Sequence, residues 1–233
     1  MVAIGVDDGV GLMATWADVD PNYLTRYQQW LNCEHMPERV SITGFLQGRR
    51  YRSIEDRPHY FVFYEAKTTS VLGSDEYIER LNTPTPWTLE ALGAFQGKPV
   101  RNIYSRIAVA GKPRQFIAPF VISVRFDLVE GGQVTYAERW IKATAEDDDK
   151  VERIRLYKQD SAIGNIQTSE RKIYGAGPGE QAYLLLIEYA KPPGSVSDLL
   201  HRWDAALGTQ SQRANEERGA YWLEMFHRKR EIA

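Results

Sequence analysis

Two segments of this 233-residue chain share one pattern and lie about 120 residues apart. In the first half, Gly44–Gln47 precedes the apolar run Tyr60–Glu65, and in the second half Gly164–Gln167 precedes Tyr183–Glu188. A period this long indicates two copies of a small domain rather than a solenoid of short units. We therefore expect residues shared by the copies to serve the fold, and residues found in only one copy to be where function lies.

Both copies predict the element order βαββαβ, joined by a short linker at 111–115. For the first copy, 1–112, we predict strands at 11–18, 45–54, 59–67 and 101–109, with helices at 22–36, ended by Pro37, and at 74–81. A proline-rich loop at 83–88 precedes one more helical segment. For the second copy, 116–233, we predict strands at 120–128, 166–174, 183–190 and 221–229, and helices at 135–157 and 196–207.

The third strand of each copy indicates how the copies pack. Residues 60–64 and 183–187 are apolar at every position rather than at alternate ones, so both faces of these strands should be covered. Helices can cover only one face of an antiparallel sheet. The fold class predicted is therefore α+β, with the sheets of the two copies facing each other as a barrel and the helices outside, a pseudo-dimer within one chain.

Composition is that of an ordinary soluble protein, with 43% hydrophobic and 26% charged residues. The net charge is −2 and the basic residues are scattered, so we expect no nucleic-acid partner. No apolar run is long enough to cross a bilayer and the start lacks a secretory signal, which predicts a cytoplasmic protein without membrane contact. Cys33 is the only cysteine, so no internal disulfide is expected.

Several first-copy segments carry a resemblance to a known superfamily: Trp30, Glu34–Arg39, Gly44–Phe45, Gly48–Tyr51, Tyr60–Glu65 and Pro84–Thr88. They resemble the dimeric α+β barrel superfamily with its ferredoxin-like subunits, most closely bacterial members of unsettled function. The second copy matches only in outline. The superfamily includes cofactor-free monooxygenases, lactone isomerases, polyketide cyclases and haem enzymes such as aldoxime dehydratases, so the resemblance implies a fold and not one reaction.

The strongest candidate for chemistry is His35. Along the first helix the apolar stripe of Tyr27 and Leu31 continues into Glu34, His35 and Glu38 at spacings of three and four. Polar groups on a stripe that faces the sheet need partners or a wet cavity. We predict that His35 acts as general base or acid, with Glu34 or Glu38 fixing its tautomer. The structural alternative is a helix-end histidine paired with a carboxylate.

The repeat offers a check on His35. Counting from Trp30 and Trp140 places Ala145 at the equivalent position, and counting back from the two glycines of the repeat places Arg155 there. Neither is histidine. This asymmetry predicts one working site, in the first copy.

Arg49 and Arg50 alternate faces on a strand, and parity with Gly48 places Arg50 toward the helices. There it could hold a carboxylate or an oxyanion; the alternative is pairing at the surface with Glu55 or Asp56. Five aromatic residues suit a flat apolar ligand, although they could equally be core: Trp16, Tyr27, Tyr51, Tyr64 and Trp87.

Three function classes follow. The first is a cofactor-independent lyase (decarboxylase or dehydratase), isomerase or cyclase, in which His35 moves a proton on a small aromatic or polyketide-like molecule. The second is a haem-binding dehydratase or peroxidase-like enzyme on the same fold, with His227 as a candidate iron ligand in the second copy. The third is a non-catalytic binder of small molecules, a stress-associated protein. No metal site is predicted, and a homodimer of the whole chain is left open.

Overall fold

A computed structural model describes residues 9–55, 57–112, 116–129, 141–142, 150–175, 177–195, 198, 201 and 213–229. The strands are β1 (Gly11–Val19), β2 (Phe45–Ser53), β3 (Tyr60–Ala66), β4 (Phe95–Gly111), β5 (Phe120–Leu128), β6 (Val151–Gln159), β7 (Tyr183–Tyr189) and β8 (Arg213–Arg228). The α-helices are α1 (Leu24–Trp30), α2 (Met36–Ser41), α3 (Asp75–Asn82), α4 (Pro86–Gly93), α5 (Ser161–Gly164) and α6 (Ser169–Tyr174). Short 3-10 turns lie at Pro21–Tyr23 and Thr69–Gly73, and a π-turn spans Leu31–His35.

The described strands form a closed barrel in the order β1-β3-β2-β8-β5-β7-β6-β4. β3 pairs antiparallel with β1 and β2, and β7 pairs antiparallel with β5 and β6. The predicted α+β class with a barrel of antiparallel strands is therefore confirmed. Among the described residues, no helix is long and apolar enough to span a membrane.

Contacts divide the chain into two compact units, and neither is continuous in sequence. One contains residues 8–105, 160–179 and 224–233, and the other contains 106–159 and 180–223. In the first unit the helices cover one face of the sheet, with a core that includes Tyr27, Trp30 and Tyr64. The second unit has its own core, built on residues such as Ile154 and Leu185. The predicted copy boundaries, 1–112 and 116–233, stay predictions.

Both faces of β3 are buried, as its uniformly apolar sequence predicts. Every residue of Tyr60–Ala66 is buried. Because successive side chains alternate across a strand, Val62 and Tyr64 join the helix-side core while Phe61 and Phe63 lie on the opposite face.

Pro37 does not end the first helix, and this prediction was wrong. The preceding π-turn widens the helix, so that the Met36 N–H donates to the Leu31 carbonyl oxygen. Pro37 then occupies the first turn of α2, where a missing N–H is tolerated. The chain stays helical to Ser41, and His35 sits inside the helix rather than at its end.

Two predicted elements of the second copy were also wrong. Residues 151–159 form strand β6, not the end of a helix, and 169–174 form helix α6, not a strand. The rest of the helix predicted at 135–157 lies almost wholly outside the described residues, including Ala145. The helix predicted at 196–207 also lies mostly outside them, although residues 198 and 201 are helical.

The register of β6 shows that the sequence alignment of the two copies was wrong in this region. Arg155 lies opposite Leu186 and forms an ion pair with Glu188 at 3.1 Å. Arg49 lies opposite Phe63 and pairs in the same way with Glu65 at 3.3 Å. Arg155 is therefore the counterpart of Arg49, so aligning Gly164–Gln167 with Gly44–Gln47 was wrong.

Candidate functional site

A cavity of about 50 Å³ lies in the unit that contains His35, between the helices and the helix-facing side of the sheet. Its apolar lining comes from Met13, Trp30, Leu31, Val62, Leu81, Leu92 and Phe95. Its polar lining comes from Thr15, Tyr27, His35, Arg39, Tyr64, Tyr77, Arg101, Glu170 and Tyr174. This volume accommodates a few water molecules or a ligand of similar size.

The π-turn places His35 in the cavity wall. His35 is the last residue of this turn, and π-turns inside helices are frequent at functional sites. Its ring lies 4.2 Å from the Trp30 ring and 6.2 Å from the Tyr64 ring, measured between centroids. The residue is 8% exposed, and its Nδ1 is buried with no hydrogen-bond partner among the described residues.

The surroundings of His35 keep its imidazole neutral. Burial lowers the pKa of His35 well below its ordinary value of 6.5, and the positive charges of Arg39 and Arg101 lower it further. At neutral pH the ring is therefore an uncharged base, and Nδ1 can carry the lone pair that accepts a proton.

A buried ion pair forms one side of the cavity. Arg39 of α2 donates a short hydrogen bond to Glu170 of α6, and both side chains are almost fully buried. Burial raises the pKa of Glu170, while the charge and hydrogen bonds of Arg39 oppose this rise. Arg39 also contacts Glu38 at 3.2 Å. The pair joins α2 to a helix far along the chain, since the two residues are 131 positions apart.

Arg101 brings a second cation to the cavity from β4. Its Nη2 donates a hydrogen bond of 3.1 Å to the Tyr77 hydroxyl oxygen. Within the described part of the chain, no carboxylate forms an ion pair with Arg101. Its guanidinium has five N–H donors, so most of them are free for a ligand or for water.

The cavity tyrosines are hydroxyl donors rather than bases. Burial raises the pKa of both Tyr27 and Tyr64 above the ordinary tyrosine value. Both therefore stay protonated at neutral pH. The Tyr64 hydroxyl is buried, and no described residue forms a hydrogen bond with it.

Of the predicted site residues, His35, Tyr27 and Tyr64 line the cavity. Glu34 instead accepts hydrogen bonds from the hydroxyls of Thr85, at 2.5 Å, and Thr88, at 3.3 Å, which tie the π-turn to α4. Glu38 contacts Arg39. Neither carboxylate is hydrogen-bonded to His35, which differs from the prediction that one of them fixes its tautomer.

Arg50 faces the helices, as its parity predicts, but it does not line the cavity. Its Nε donates to Glu224 of β8 at 2.8 Å, and its Nη1 donates to the Asn32 side chain at 2.7 Å. Through these contacts Arg50 joins β2, β8 and the π-turn. The structure therefore does not bring Arg50 to His35.

The other predicted aromatic residues also lie outside the cavity wall. Trp16 stacks on Phe61 at 4.8 Å on the opposite face of the sheet, and Tyr51 stacks on Phe63 at 5.7 Å on that same face. Trp87 lies on α4 beneath the guanidinium of an exposed arginine. These residues pack the fold, which is the alternative that the sequence left open.

Sequence reasoning missed Arg39, Tyr77, Arg101, Glu170 and Tyr174. The last two were placed on a strand, although signals for helix α6 were present. Thr168 caps α6 by accepting a hydrogen bond from the Arg171 N–H, and Gly175 ends the helix with φ 63°. A threonine before and a glycine after such a segment are typical helix boundaries.

The residues around His35 do not fit haem. A cavity of roughly 150 Å³ is needed for a single benzene ring, and haem is several times larger. His227 is partly buried on β8, and the second-copy segments that would surround a cofactor lie largely outside the described residues. Among the residues described, no group of three or more His, Cys, Asp or Glu side chains could hold a metal ion.

No protein-family model and no curated protein matches the sequence. Solved structures share the fold along nearly the whole chain. An anthrone oxidase-like protein has a TM-score of 0.59 at 11% identity, covering 97% of this chain and 95% of that one. A candidate monooxygenase from Fusobacterium nucleatum has 0.55 at 10%, with 95% of each chain covered. A mutant chlorite dismutase from Candidatus Nitrospira defluvii, in complex with cyanide, has 0.51 at 11%, covering 92% and 91%.

At such low identity these similarities show the fold alone. The chain has the α+β barrel fold with ferredoxin-like halves, as its resemblance implies. Proteins named as oxygenases, oxidases and chlorite dismutases share this fold, so it is one that enzymes use.

Proposed function

We propose that this protein is a cofactor-independent enzyme in which His35 accepts a proton from a small substrate bound in the cavity. The observation that carries the proposal is the position of His35 in the wall of that cavity, with a buried Nδ1 that has no hydrogen-bond partner among the described residues. A neutral imidazole in this position is equipped to act as a general base.

The proposed step moves one proton. A C–H bond next to a substrate carbonyl breaks, its proton passes to the imidazole of His35, and the electron pair moves onto the carbonyl oxygen. In this proposal Tyr64, which also lines the cavity, donates its hydroxyl to that developing oxyanion; this hydroxyl has no hydrogen-bond partner among the described residues. Return of the proton to another carbon gives isomerisation, and departure of a neighbouring group gives a lyase reaction.

The size of the cavity restricts the substrate. The aromatic or polyketide-like molecule expected from the sequence exceeds about 50 Å³, because even benzene needs roughly three times that space. We therefore propose a small aliphatic oxo compound as the substrate class. A larger substrate would require the cavity walls to move.

Hydrogen–deuterium exchange tests the proposal. Wild-type protein is incubated in deuterated water with acetaldehyde, acetone, hydroxyacetone and pyruvate, and loss of the C–H signal is followed by proton NMR. We expect exchange of at least one compound, and a loss of about a hundredfold or more in His35→Gln, since general base catalysis contributes about 10²–10⁴-fold.

His59→Gln is the matched control, because His59 pairs with Asp18 away from the cavity. This variant should exchange at the wild-type rate. If no compound exchanges above the uncatalysed rate, or if His35→Gln exchanges as fast as wild type, the proton-transfer proposal is wrong.

A further inference from the structure

We infer that the cavity selects a monoanionic carboxylate, and that Arg101 is the residue that holds it. The inference deepens the proposed function by naming the charge class of its substrate. It rests on the proposed function only in treating the bound carboxylate as a substrate. Binding of the carboxylate can be tested without turnover.

The balance of charge in the cavity wall favours one negative charge. Among the lining residues that the structure describes, the charged side chains are those of Arg39, Arg101 and Glu170, and His35 is neutral. Arg39 and Glu170 neutralise each other in a direct ion pair. The cavity is left with the charge of Arg101, and one anion would compensate it.

Charged groups just outside the wall do not change this balance. Glu38 contacts Arg39. Arg171 lies close enough to Arg101 for their two positive charges to repel each other. These two outer groups have opposite signs. The net positive charge on the cavity side therefore stays with Arg101.

The hydrogen-bond geometry points to a carboxylate rather than to a simple halide. The Arg101 guanidinium donates to Tyr77 through one nitrogen, which leaves further N–H donors for a forked contact with two carboxylate oxygens. Since the Tyr77 oxygen accepts from Arg101, its own O–H remains available as a donor. Acetate has a few non-hydrogen atoms and matches the size of the cavity.

A comparison of acetate with acetamide tests whether the charge or the shape of the ligand determines its affinity. The two molecules are nearly isosteric, and only acetate is an anion. Each is titrated into the full-length wild-type protein while backbone amide shifts are followed by NMR, with chloride as an anion that cannot bind in a forked manner. We expect saturable shifts with acetate and at least about tenfold weaker binding of acetamide and chloride, since hydrogen bonds to a charged group are strong.

Three arginine variants locate the site. Arg101→Gln should weaken acetate binding at least about tenfold, and Arg101→Lys, which keeps the charge but loses the fork, should fall between it and wild type. Arg80→Gln is the matched control, because Arg80 is half exposed on α3 and does not line the cavity. If Arg101→Gln fails to fold, Arg101→Lys and the comparison with acetamide still decide the question.

The inference is wrong if acetate and acetamide bind equally, if acetate shows no saturable binding, or if folded Arg101 variants bind acetate as wild type does. Failure of the proposed function looks different. Acetate would then bind through Arg101 in both wild type and His35→Gln, with no deuterium exchange in either protein.

Discussion

At the scale of single residues, two residues of the cavity wall each have a buried polar atom without a hydrogen-bond partner among the described residues. The Nδ1 of His35 and the hydroxyl of Tyr64 are both of this kind, and their rings lie in one cavity wall. Most buried polar atoms in folded proteins are hydrogen-bonded, because an unpaired one reduces stability. A ligand or water molecule that hydrogen-bonds to these two atoms explains why the protein retains them without partners among the described residues.

Tyr64→Phe separates a structural role from a functional one. The change removes a hydroxyl without a protein partner, so the free energy of unfolding should stay the same or rise slightly. The exchange rate defined above should fall by about 10²-fold, the usual effect of losing one oxyanion donor. Urea unfolding and NMR exchange measure the two effects. Lower stability with unchanged exchange would mean that this hydroxyl serves the fold alone.

At the scale of elements, helices that are far apart in sequence meet in the cavity wall. The π-turn carries His35, and Glu34 fixes this turn to α4 through Thr85 and Thr88. Helix α6 comes from the second half of the chain and closes the wall through Glu170. The site therefore depends on how α6 attaches to α2.

Glu170→Ala should destabilise the protein strongly, because it leaves the buried guanidinium of Arg39 without its main partner. Loss of one member of a buried pair costs about 3–5 kcal/mol, and we expect the lower end because Arg39 keeps its contact with Glu38. Urea unfolding at neutral pH measures the change. Replacing both partners by apolar residues, Arg39→Met with Glu170→Leu, should recover most of the loss.

Glu90→Ala is the control for this measurement. Glu90 pairs with Arg26 at the surface, where ion pairs add little, so no measurable change is expected. A loss in Glu170→Ala no larger than that in Glu90→Ala would show that the Arg39–Glu170 pair does not hold the wall together.

At the scale of the whole molecule, the sequence predicted the α+β class, the barrel and the first-copy strands. The prediction of β6 failed because one of its buried faces is polar. In β6 the face opposite Ile154 and Leu156 carries Arg155 and Tyr157, both buried. A sequence in which charged and apolar residues alternate irregularly resembles that of a helix with one exposed and one buried side. The Arg155–Glu188 pair that explains this polar face is visible only once the strands are paired.

The sequence predicted only some residues of the candidate site, because only some of them are related by a local pattern. The spacing of Tyr27, Leu31 and His35 along one helix was sufficient to place His35 against the sheet, because that relation is local. Arg101 and Glu170 reach the cavity through contacts between distant segments. No local pattern encodes such contacts, so they could not be read from a single sequence.

The most direct test of this account is the protonation state of His35, followed by ¹⁵N-edited NMR of its imidazole as the pH is lowered. The signal is assigned by its absence in His35→Gln, and the urea-unfolded chain provides the reference. We predict that the folded protein keeps His35 neutral as the pH falls through 6.5, because burial and the two arginines lower its pKa. The unfolded chain gains this proton first, so stability should decrease as the pH falls below 6.5. Titration of His35 near 6.5 in the folded protein, as for a solvent-exposed imidazole, would contradict the account.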